Sequence, residues 1–358
     1  MRINFAGDIS LDRINHSCFK IGDNLHNILS KSDLNIANLE SAITTSENRR
    51  PFHPVHLKAG TKSLDIIGPF HAVSLANNHI QDFGPEGIED TKKALMTKGM
   101  SFFGIGSDQT SALNPLIYSN DGQKVAVIGT SKFCTFSKFC EGTAGDSSSI
   151  LYKTISKLKL EGHYVIIFYH WGYEYIDFPA PRDRIIAHHC INKGADMVIG
   201  THPHVIQAIE YYKQRPIIYS LGNFIFSNDF SKEVSYLNED IRTRISLLVS
   251  LEIQKNKLTS LKYSRCVLSN NEVEIDTSID SSELLSEVKQ GGLFSSDYRD
   301  YIKKYVSQLD VIRNQNVKIK QDYLGYNNMD PIDKFRTYKN LNWQDAFNRF
   351  LVTLKKKR

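Results

Sequence analysis

Short apolar runs rich in β-branched residues alternate with longer segments of helical periodicity through the first two thirds of this 358-residue chain. Runs of this kind, bounded by polar residues, predict strands. The predicted strands cover residues 3–6, 34–37, 72–75, 125–129, 164–169, 197–200 and 216–220. Helices are predicted between them at residues 85–98, 151–160 and 182–193. Because strands that alternate with helices are typical of βαβ units, the sequence predicts an α/β fold.

The pattern changes in the last third of the chain. Residues 242–254 and 258–267 alternate in polarity around a short polar link, which predicts an antiparallel hairpin near a sheet edge. After a polar stretch at residues 276–282, helical periodicity predicts helices at residues 283–289, 298–313, 331–338 and 343–354. We therefore predict an α/β domain over residues 1–275 and a helical, basic C-terminal extension over residues 281–358.

The net charge of +5 is concentrated in that extension. Residues 303–358 contain 13 Lys and Arg but only 5 Asp and Glu. The chain shows no nucleic-acid-binding motif, and the run of four basic residues at 355–358 is typical of a solvated end. We expect no nucleic-acid partner, and we expect the extension to serve as a lid or as an oligomer contact.

Composition limits the compartment and the class of protein. An apolar content of 41% with 23% charged residues excludes a disordered or fibrous chain. The five cysteines are widely spaced without a C-x-x-C pair, so neither a disulfide framework nor a thiolate zinc site is expected. The first residues lack the apolar stretch of a signal peptide, and no apolar run approaches the roughly 20 residues of a spanning helix. We expect a cytoplasmic protein with reduced thiols and no membrane span.

Five predicted strands are each followed, within a few positions, by residues that can bind a metal or transfer a proton. Taken singly, each such residue has an ordinary explanation, such as a helix cap, a surface carboxylate, a turn former or a buried histidine held by a carbonyl. In a mostly parallel sheet, however, the strand ends lie along one edge, where open α/β folds bind ligands. The residues are Asp8, Asn38, Glu40, Asn77, Asn78, His79, His170, His202 and His204.

Imidazole and carboxylate side chains together favour a divalent ion of borderline softness, and no cysteine is nearby to favour Cu(I) or an iron–sulfur cluster. In the segment Thr201-His202-Pro203-His204 the two histidines are too close for a helical i, i+4 pair. On a tight loop after a strand, they can face two different ions about 3.5 to 4 Å apart, as in two-metal hydrolysis. The sequence therefore predicts two divalent ions, with Mn, Fe, Zn and Mg all open.

Six short motifs follow one another along residues 1–230. They are Gly7-Asp8, Asn38-Leu39-Glu40, Ala76-Asn77-Asn78-His79 with Asp82 and Gly84, His170-Trp171-Gly172, Gly200-Thr201-His202-Pro203-His204 and Ser220-Leu221-Gly222-Asn223-Phe224. Together, in this order, they resemble the bacterial CapA family of poly-gamma-glutamate capsule-synthesis proteins, a branch of the calcineurin-like metallophosphoesterase superfamily. The resemblance implies a calcineurin-like sandwich of mixed sheets flanked by helices, followed by the helical extension.

The resemblance also implies a role for each site residue. One ion would be held by Asp8 and His204, the other by Asn78, His170 and His202, with Glu40 between them. His79 would protonate the leaving oxygen, and Asp82 would orient the imidazole of His79. Ser10 and Glu40 stand where the wider superfamily usually has histidine and aspartate, so we expect the first site to bind its ion more weakly and to depend on added metal.

Four further residues are candidates for smaller roles. Arg13 and Asn77 are candidate substrate-binding residues, although an ordinary surface arginine is the default explanation of Arg13. Trp171 is a candidate aromatic wall over a substrate, and core packing accounts for it almost as well. Asn223 follows the last predicted parallel strand and is a candidate to hydrogen-bond a metal ligand.

The sequence leads to one favoured function and two alternatives. The favoured function is a metal-dependent hydrolase, a two-metal phosphoesterase that acts on an anionic small-molecule or polymer substrate in capsule or cell-envelope polymer biosynthesis. The first alternative is a non-catalytic, metal-containing accessory component of poly-gamma-glutamate or exopolysaccharide production. The second is an amide hydrolase, since the same metal chemistry attacks carbonyl groups. A proton-donating His79 has no purpose in a passive binder, which favours a hydrolase.

Overall fold

The computed structural model describes residues 1–50, 55–133, 142–145, 149–227, 240–279, 284 and 301–311. The strands, numbered along the chain, are β1 Arg2–Ile9, β2 Lys20–Ile21, β3 Leu34–Leu39, β4 Ala42–Ile43, β5 Lys58–Ala59, β6 Ala72–Ser74, β7 Ser101–Phe103, β8 Leu116–Asn120, β9 Gln123–Ser131, β10 Tyr164–His170, β11 Met197–Thr201, β12 Ile209–Tyr212, β13 Arg215–Ile218, β14 Asn223–Ile225, β15 Ile245–Gln254, β16 Lys257–Leu268 and β17 Glu272–Ile275. The α-helices are α1 Asp23–Ser30, α2 Gly84–Thr97, α3 Gln109–Ala112, α4 Ser149–Leu160 and α5 Pro181–Asn192. Short 3-10 helices lie at Thr61–Ile67 and Ile241–Arg244, and residues 301–311 form a further α-helix.

Two mixed sheets contain most of the strands. The first has the order β2-β17-β16-β15-β1-β3-β6-β7, and β14 also pairs with β1. In this sheet β1, β3, β6, β7 and β14 run parallel, whereas β15 and β16 form an antiparallel hairpin beside β1. The second sheet has the order β12-β13-β11-β10-β9-β8, with β9, β10, β11 and β13 parallel and one antiparallel strand at each edge.

The two sheets pack face to face, because the central strands alternate between two buried faces. In β1, Ile3 and Phe5 point into the layer between the sheets, and in β10, Ile166 and Phe168 do the same. The Phe5 and Phe168 rings meet across this layer, with their centroids 5.5 Å apart. Burying each such side chain contributes about 1.5–3 kcal/mol. The inter-sheet layer therefore fixes how the two sets of strand ends face each other.

Helices cover the outer face of each sheet. Leu25 and Leu29 of α1 and Leu95 of α2 pack on the outer face of the first sheet. Leu151, Ile155 and Leu158 of α4 pack with Ile186 and Cys190 of α5 on the outer face of the second. Helix 301–311 adds Tyr301, Tyr305 and Leu309 to buried clusters beside this second sheet. The expected α/β sandwich of mixed sheets flanked by helices is therefore confirmed.

Most of the predicted elements are present, with some differences. All seven predicted strands and the three predicted helices of the α/β part form within a few residues of the expected bounds. The predicted hairpin is β15–β16, and its turn uses Lys255 and Asn256 at positive φ, as a two-residue hairpin turn requires. One expectation is corrected: the strands with polar ends do not share one sheet edge, since β10 and β11 lie in the second sheet. The short partner strands β8, β12 and β14 were not predicted.

The C-terminal predictions are described only in part. The helix predicted at residues 298–313 is described over residues 301–311. The helices predicted at residues 283–289, 331–338 and 343–354 lie outside the described residues. In the described part of the chain, Cys18, Cys190 and Cys266 are free thiols, and no helix is both long and apolar enough to cross a bilayer.

Candidate metal centre

The site forms where parallel strands of both sheets end at the same end of the sandwich. In the first sheet, Asp8 of β1 is in register with Asn38 of β3 on one side and with Asn223 of β14 on the other. In the second sheet, His170 of β10 is in register with Thr201 of β11. Parallel register thus places residues that are distant in sequence at one level of the fold.

Two glycines allow the strands to approach this closely. A Cβ on Gly7 would lie 1.9 Å from the carbonyl oxygen of Gly222, which accepts the hydrogen bond from the amide of Asp8. A Cβ on Gly200 would lie 2.0 Å from the carbonyl oxygen of Tyr219. A larger residue at Gly7 would push the start of β14 away from β1, which carries Asp8. A larger residue at Gly200 would push the end of β13 away from β11, which leads to His202.

Asp8 joins the two sheets at the floor of the site. Its Oδ1 accepts a hydrogen bond of 2.8 Å from Asn38 Nδ2, and its Oδ2 accepts one of 2.9 Å from the backbone amide of His202. Oδ2 also lies 3.8 Å from Nδ1 of His204. Burial raises the pKa of Asp8, although His204 and the hydrogen bonds that the carboxylate accepts act in the opposite direction. The carboxylate is held in place by both sheets.

Glu40, His170 and Asn78 form the opposite wall. His170 Nε2 lies 2.8 Å from Asn78 Oδ1 and 3.2 Å from Glu40 Oε1. Glu40 is fully buried, and neither carboxylate oxygen has a hydrogen bond of acceptable geometry within the described residues. Burial, followed by the charges of Asp8, Glu174 and Asp82, raises the pKa of Glu40 well above its usual value. A buried carboxylate whose oxygens lack hydrogen-bond partners fits a site for a cation.

His170 and His202 favour the neutral form of imidazole, which is the form that binds metals. Burial, with the neighbouring His204 and His79, lowers the pKa of His170 well below its usual value. Burial, followed by the positive charge that neighbouring groups, first His170, would carry when protonated, lowers the pKa of His202 in the same way. The Nδ1 of His202 is buried and has no hydrogen-bond partner in the described part of the chain.

The loop with His202 and His204 has an unusual backbone. His202 and His204 have φ values of 96° and 60°, in the left-handed region that residues other than glycine seldom adopt. The two rings are 5.7 Å apart and inclined by 58°. The Nδ1 of His204 lies 2.8 Å from Asn223 Oδ1, so its Nε2 is the nitrogen that remains for an ion. Backbone strain of this kind is commonly retained at functional sites.

His79 and Asp82 form a buried pair beside these residues. His79 Nδ1 lies 2.8 Å from Asp82 Oδ2, and the same oxygen accepts a hydrogen bond from the amide of Leu57. Burial by itself would lower the pKa of His79, but the charge and hydrogen bond of Asp82 outweigh it, and the pKa is raised. The pair has the geometry of an imidazole oriented by a carboxylate.

Two groups of side chains can hold a metal ion. In each group the ligand atoms lie within 4.8 Å of one another: Glu40, His170 and His202 form the first group, and Glu174, His202 and His204 form the second. The unpartnered oxygens of Glu40, together with imidazole, carboxylate and amide ligands, fit divalent ions such as Mn, Fe or Zn. The six metal-binding residues expected from the sequence therefore lie together around one end of the sandwich.

Glu174 was missed by the sequence analysis. It lies four residues after His170 and three after Trp171, the aromatic candidate of the same segment. The available signal was a carboxylate a short distance beyond a strand-terminal histidine. Spacing alone does not show that the backbone between them turns back towards the site.

The other candidate residues occupy different positions. Asn77 is buried and positions backbone: its Oδ1 accepts hydrogen bonds from the amides of His79 and Ile80. Trp171 is fully buried, and its indole N–H donates a 2.8 Å hydrogen bond to Tyr219 O, so its side chain belongs to the core of the second sheet. Arg13 is exposed at φ 57°, with Nε 3.2 Å from Asp12 Oδ2.

The sequence of this chain is similar to those of known bacterial proteins. The sequence profile described as "Bacterial capsule synthesis protein PGA_cap" matches residues 2–228. The chain is 32% identical over 246 residues to the capsule biosynthesis protein CapA of Bacillus anthracis, which covers 63% of this chain and 60% of that protein. It is 29% identical over 267 residues to the PGA biosynthesis protein CapA of Bacillus subtilis (strain 168), which covers 71% of this chain and 68% of that one.

Similarity to solved structures is weaker. A phosphatase from Mycoplasma pneumoniae aligns with a TM-score of 0.49 at 15% identity, covering 75% of this chain and 93% of that one. The match to the B. anthracis relative spans three fifths of that protein's length.

Proposed function

This chain belongs to the bacterial capsule synthesis protein family PGA_cap, and from that premise we propose that it is a metal-dependent hydrolase, a two-metal phosphoesterase of capsule or cell-envelope polymer synthesis. The observation that carries the proposal is the buried His79–Asp82 pair beside the two groups of metal-binding side chains. A site that only binds metal or polymer needs the ligands. It does not need a histidine held by a carboxylate next to them.

The side chains divide into those that would hold ions and those that would act on substrate. Asp8, Glu40, Asn78, His170, His202 and His204 would hold two divalent ions. Bound divalent ions would supply charge neutralisation at a phosphoryl oxygen and an activated water at neutral pH. Asn38 holds Asp8 and Asn223 holds His204 through the contacts described above. Thr201 holds His170 in the same way, with its Oγ1 3.1 Å from His170 Nδ1.

His79 would act as the proton donor. Because Asp82 would accept a hydrogen bond from Nδ1–H, the proton for transfer would be the one on Nε2. Breaking the ester bond leaves negative charge on the departing oxygen, and a donor at that position removes it. Asp82 would keep the ring orientation fixed while this proton is transferred. The leaving group would therefore depart as a neutral alcohol.

An anionic substrate fits the charge that two divalent ions would provide. We infer a phosphorylated or phosphodiester-linked precursor of an envelope polymer as the substrate class. Cleavage of an amide remains the alternative reaction for the same groups, and an accessory role without turnover remains the alternative class. The relative from Mycobacterium tuberculosis (strain CDC 1551 / Oshkosh) named "Probable polyglutamine synthesis accessory protein MT0602" is 30% identical over 217 residues.

The test compares wild-type protein with three alanine variants in Mn²⁺, using an aryl phosphate monoester, an aryl phosphodiester and an aryl amide. His79→Ala is expected to lower kcat by about 10²–10⁴-fold with its metal content unchanged, because general acid catalysis is worth that much. His204→Ala is expected to lose bound metal and turnover together. His16→Ala, which changes an exposed histidine outside the site, is the matched control and is expected to behave as wild type.

Each outcome decides between the functions. Turnover of an ester, lost in His79→Ala, supports the hydrolase. Turnover of the amide alone moves the reaction to the amide class. Wild-type protein that binds two ions and turns over none of the three substrates contradicts the hydrolase and favours the accessory role.

A further inference from the structure

We propose that Glu174 is a metal ligand that, with His202 and His204, completes the coordination of one of the two ions. This inference rests on the metal site of the proposed function and assigns to it a residue outside the six expected ligands. Asp8 and His204, with Glu40 shared between the two ions, would supply three protein ligands at most, and Glu174 would add a further one, since well-held divalent ions usually have three or four.

The first argument is the position of the carboxylate. A ligand oxygen of Glu174 and ligand nitrogens of His202 and His204 all lie within 4.8 Å of one another, close enough to share one ion. The negative charge of Glu174 also acts on Glu40 and His79 and raises the pKa of both. Among the described residues, none donates a hydrogen bond to the Glu174 carboxylate or forms an ion pair with it.

The second argument is an unpartnered polar atom on one of the two histidines of this group. His202 is 4% exposed, and its Nδ1 has no hydrogen-bond partner within the described residues. A buried polar atom without a partner costs about 1–3 kcal/mol. Coordination by an ion shared with Glu174 would remove that cost.

The third argument is that hydrogen bonds from residues next to the site hold the backbone around Glu174. Gly172 and Tyr175 both have positive φ, 86° and 62°, so the chain turns sharply on either side of Glu174. The amide of Tyr175 donates a 2.8 Å hydrogen bond to Pro203 O, between the two histidines. Lys132 donates a 2.8 Å hydrogen bond to Gly172 O from the end of β9. The Glu174 segment is thereby joined to the His202–His204 loop.

The segment is also held from the far side. Asp177 accepts hydrogen bonds from Arg242 Nη1 at 2.5 Å and from Gln308 Nε2 at 2.8 Å, and its amide donates to Gln308 Oε1 at 3.1 Å. Helix 301–311 therefore braces the segment that carries Glu174. A ligand whose backbone is fixed in this way loses less conformational entropy when it binds an ion.

The experiment measures metal directly. Wild-type protein, Glu174→Gln and the control Glu161→Gln, which changes an exposed carboxylate in the turn after α4, are stripped with chelator and titrated with Mn²⁺ by calorimetry. Bound metal is then counted by elemental analysis. Glu174→Gln keeps the size and polarity of the side chain, and its Tm without metal is expected to match that of wild type. It is expected to weaken the affinity for one ion by at least about 10-fold and to leave the other ion unchanged.

A second measurement does not depend on any variant. Crystals of the wild-type protein soaked in Zn²⁺ are expected to show an ion about 2.0–2.2 Å from a Glu174 carboxylate oxygen in anomalous maps. Two ions bound by wild type with Glu174 more than about 4 Å from both, or unchanged affinities in Glu174→Gln, would overturn this inference and leave the hydrolase proposal intact. Wild-type protein that binds no divalent ion overturns both.

Discussion

Glu40→Gln is expected to change the stability of the protein in opposite directions with and without metal. Glu40 is fully buried, and neither of its oxygens has a well-formed hydrogen bond among the described residues. Its pKa is raised well above the usual 4.5 by burial and by the carboxylates of Asp8, Glu174 and Asp82. The neutral amide of glutamine keeps the shape of the side chain and removes the charge. The metal-free variant is therefore expected to be more stable than metal-free wild type.

The size of both effects follows from the site. An unsatisfied buried polar group costs about 1–3 kcal/mol, and a charged one costs more. For a chain of this size, 1 kcal/mol corresponds to about 2 °C in Tm, so metal-free Glu40→Gln is expected to melt about 2–6 °C higher. An ion present at 100 times its Kd stabilises the protein that binds it by about 2.7 kcal/mol. Wild type is thus expected to gain about 5 °C per ion, and the variant less than half of that.

The sign of the pH dependence provides a further check. A carboxyl group whose folded pKa lies above 4.5 binds more protons in the folded state than in the unfolded state as the pH rises above that value. The metal-free wild type therefore loses stability from this group as pH rises above 4.5, and Glu40→Gln does not. The advantage of the variant is expected to be larger at pH 8 than at pH 5.

The assay is thermal unfolding of wild type, Glu40→Gln and the exposed-site control Glu161→Gln, with chelator and with saturating Mn²⁺, at both pH values. A metal-free Glu40→Gln that melts below wild type would show that the carboxylate is satisfied in the folded protein. A variant that keeps the full metal-induced increase would show that Glu40 does not bind an ion. Either result would refute the conclusion that Glu40 is an unsatisfied carboxylate that binds a metal ion.

Two further substitutions test contacts around the site and away from it. Asn223→Ala removes the hydrogen bond to His204 Nδ1 and is expected to weaken metal affinity by about 10–100-fold, as measured by Mn²⁺ titration; unchanged affinity would show that Asn223 does not orient the ligand. Burial raises the pKa of Glu210, but hydrogen bonds from His188, Arg184 and Tyr219 outweigh it and lower the pKa from 4.5 to about 2. Glu210 thus contributes up to about 3 kcal/mol of stability above pH 4.5 that is lost as pH falls towards 2. Urea unfolding of Glu210→Gln is expected to show a flatter dependence on pH in that window, and a wild-type slope would contradict this account.

The parts of the site that could be predicted from sequence depend on strand ends. Asp8 and Asn38 end buried apolar runs in neighbouring parallel strands of the first sheet, and His170 ends such a run beside Thr201 in the second. Within each sheet, parallel pairing places such ends at one level whatever the length of chain between them. The local apolar pattern was sufficient to predict these residues, because the position of each one depends on where its own strand ends. The family resemblance drawn from these motifs is confirmed by the match over residues 2–228.

The parts that could not be predicted depend on contacts between distant segments. The partition of β1, β3 and β6 from β9, β10 and β11 into two sheets follows from how alternating faces pack, and each face of these strands is apolar. Sequence reasoning therefore had no polar face by which to separate them. The sequence also could not distinguish whether Trp171 packs in the core or faces a substrate. Its hydrogen bond to Tyr219 O shows that it packs in the core.

Because the candidate ligands come from both sheets, metal binding and the packing of the two sheets are linked. Asn38 Nδ2 lies 2.8 Å from Asp8 Oδ1 in its own sheet and 3.2 Å from His170 Nδ1 in the other. The amide of His202 reaches back from the second sheet to Asp8 Oδ2. An ion held by Glu40 and His170 would cross-link the same two sheets at the end where buried carboxylates repel one another. Binding energy of such an ion acts on the whole sandwich, so it would raise the free energy of global unfolding rather than order a single loop.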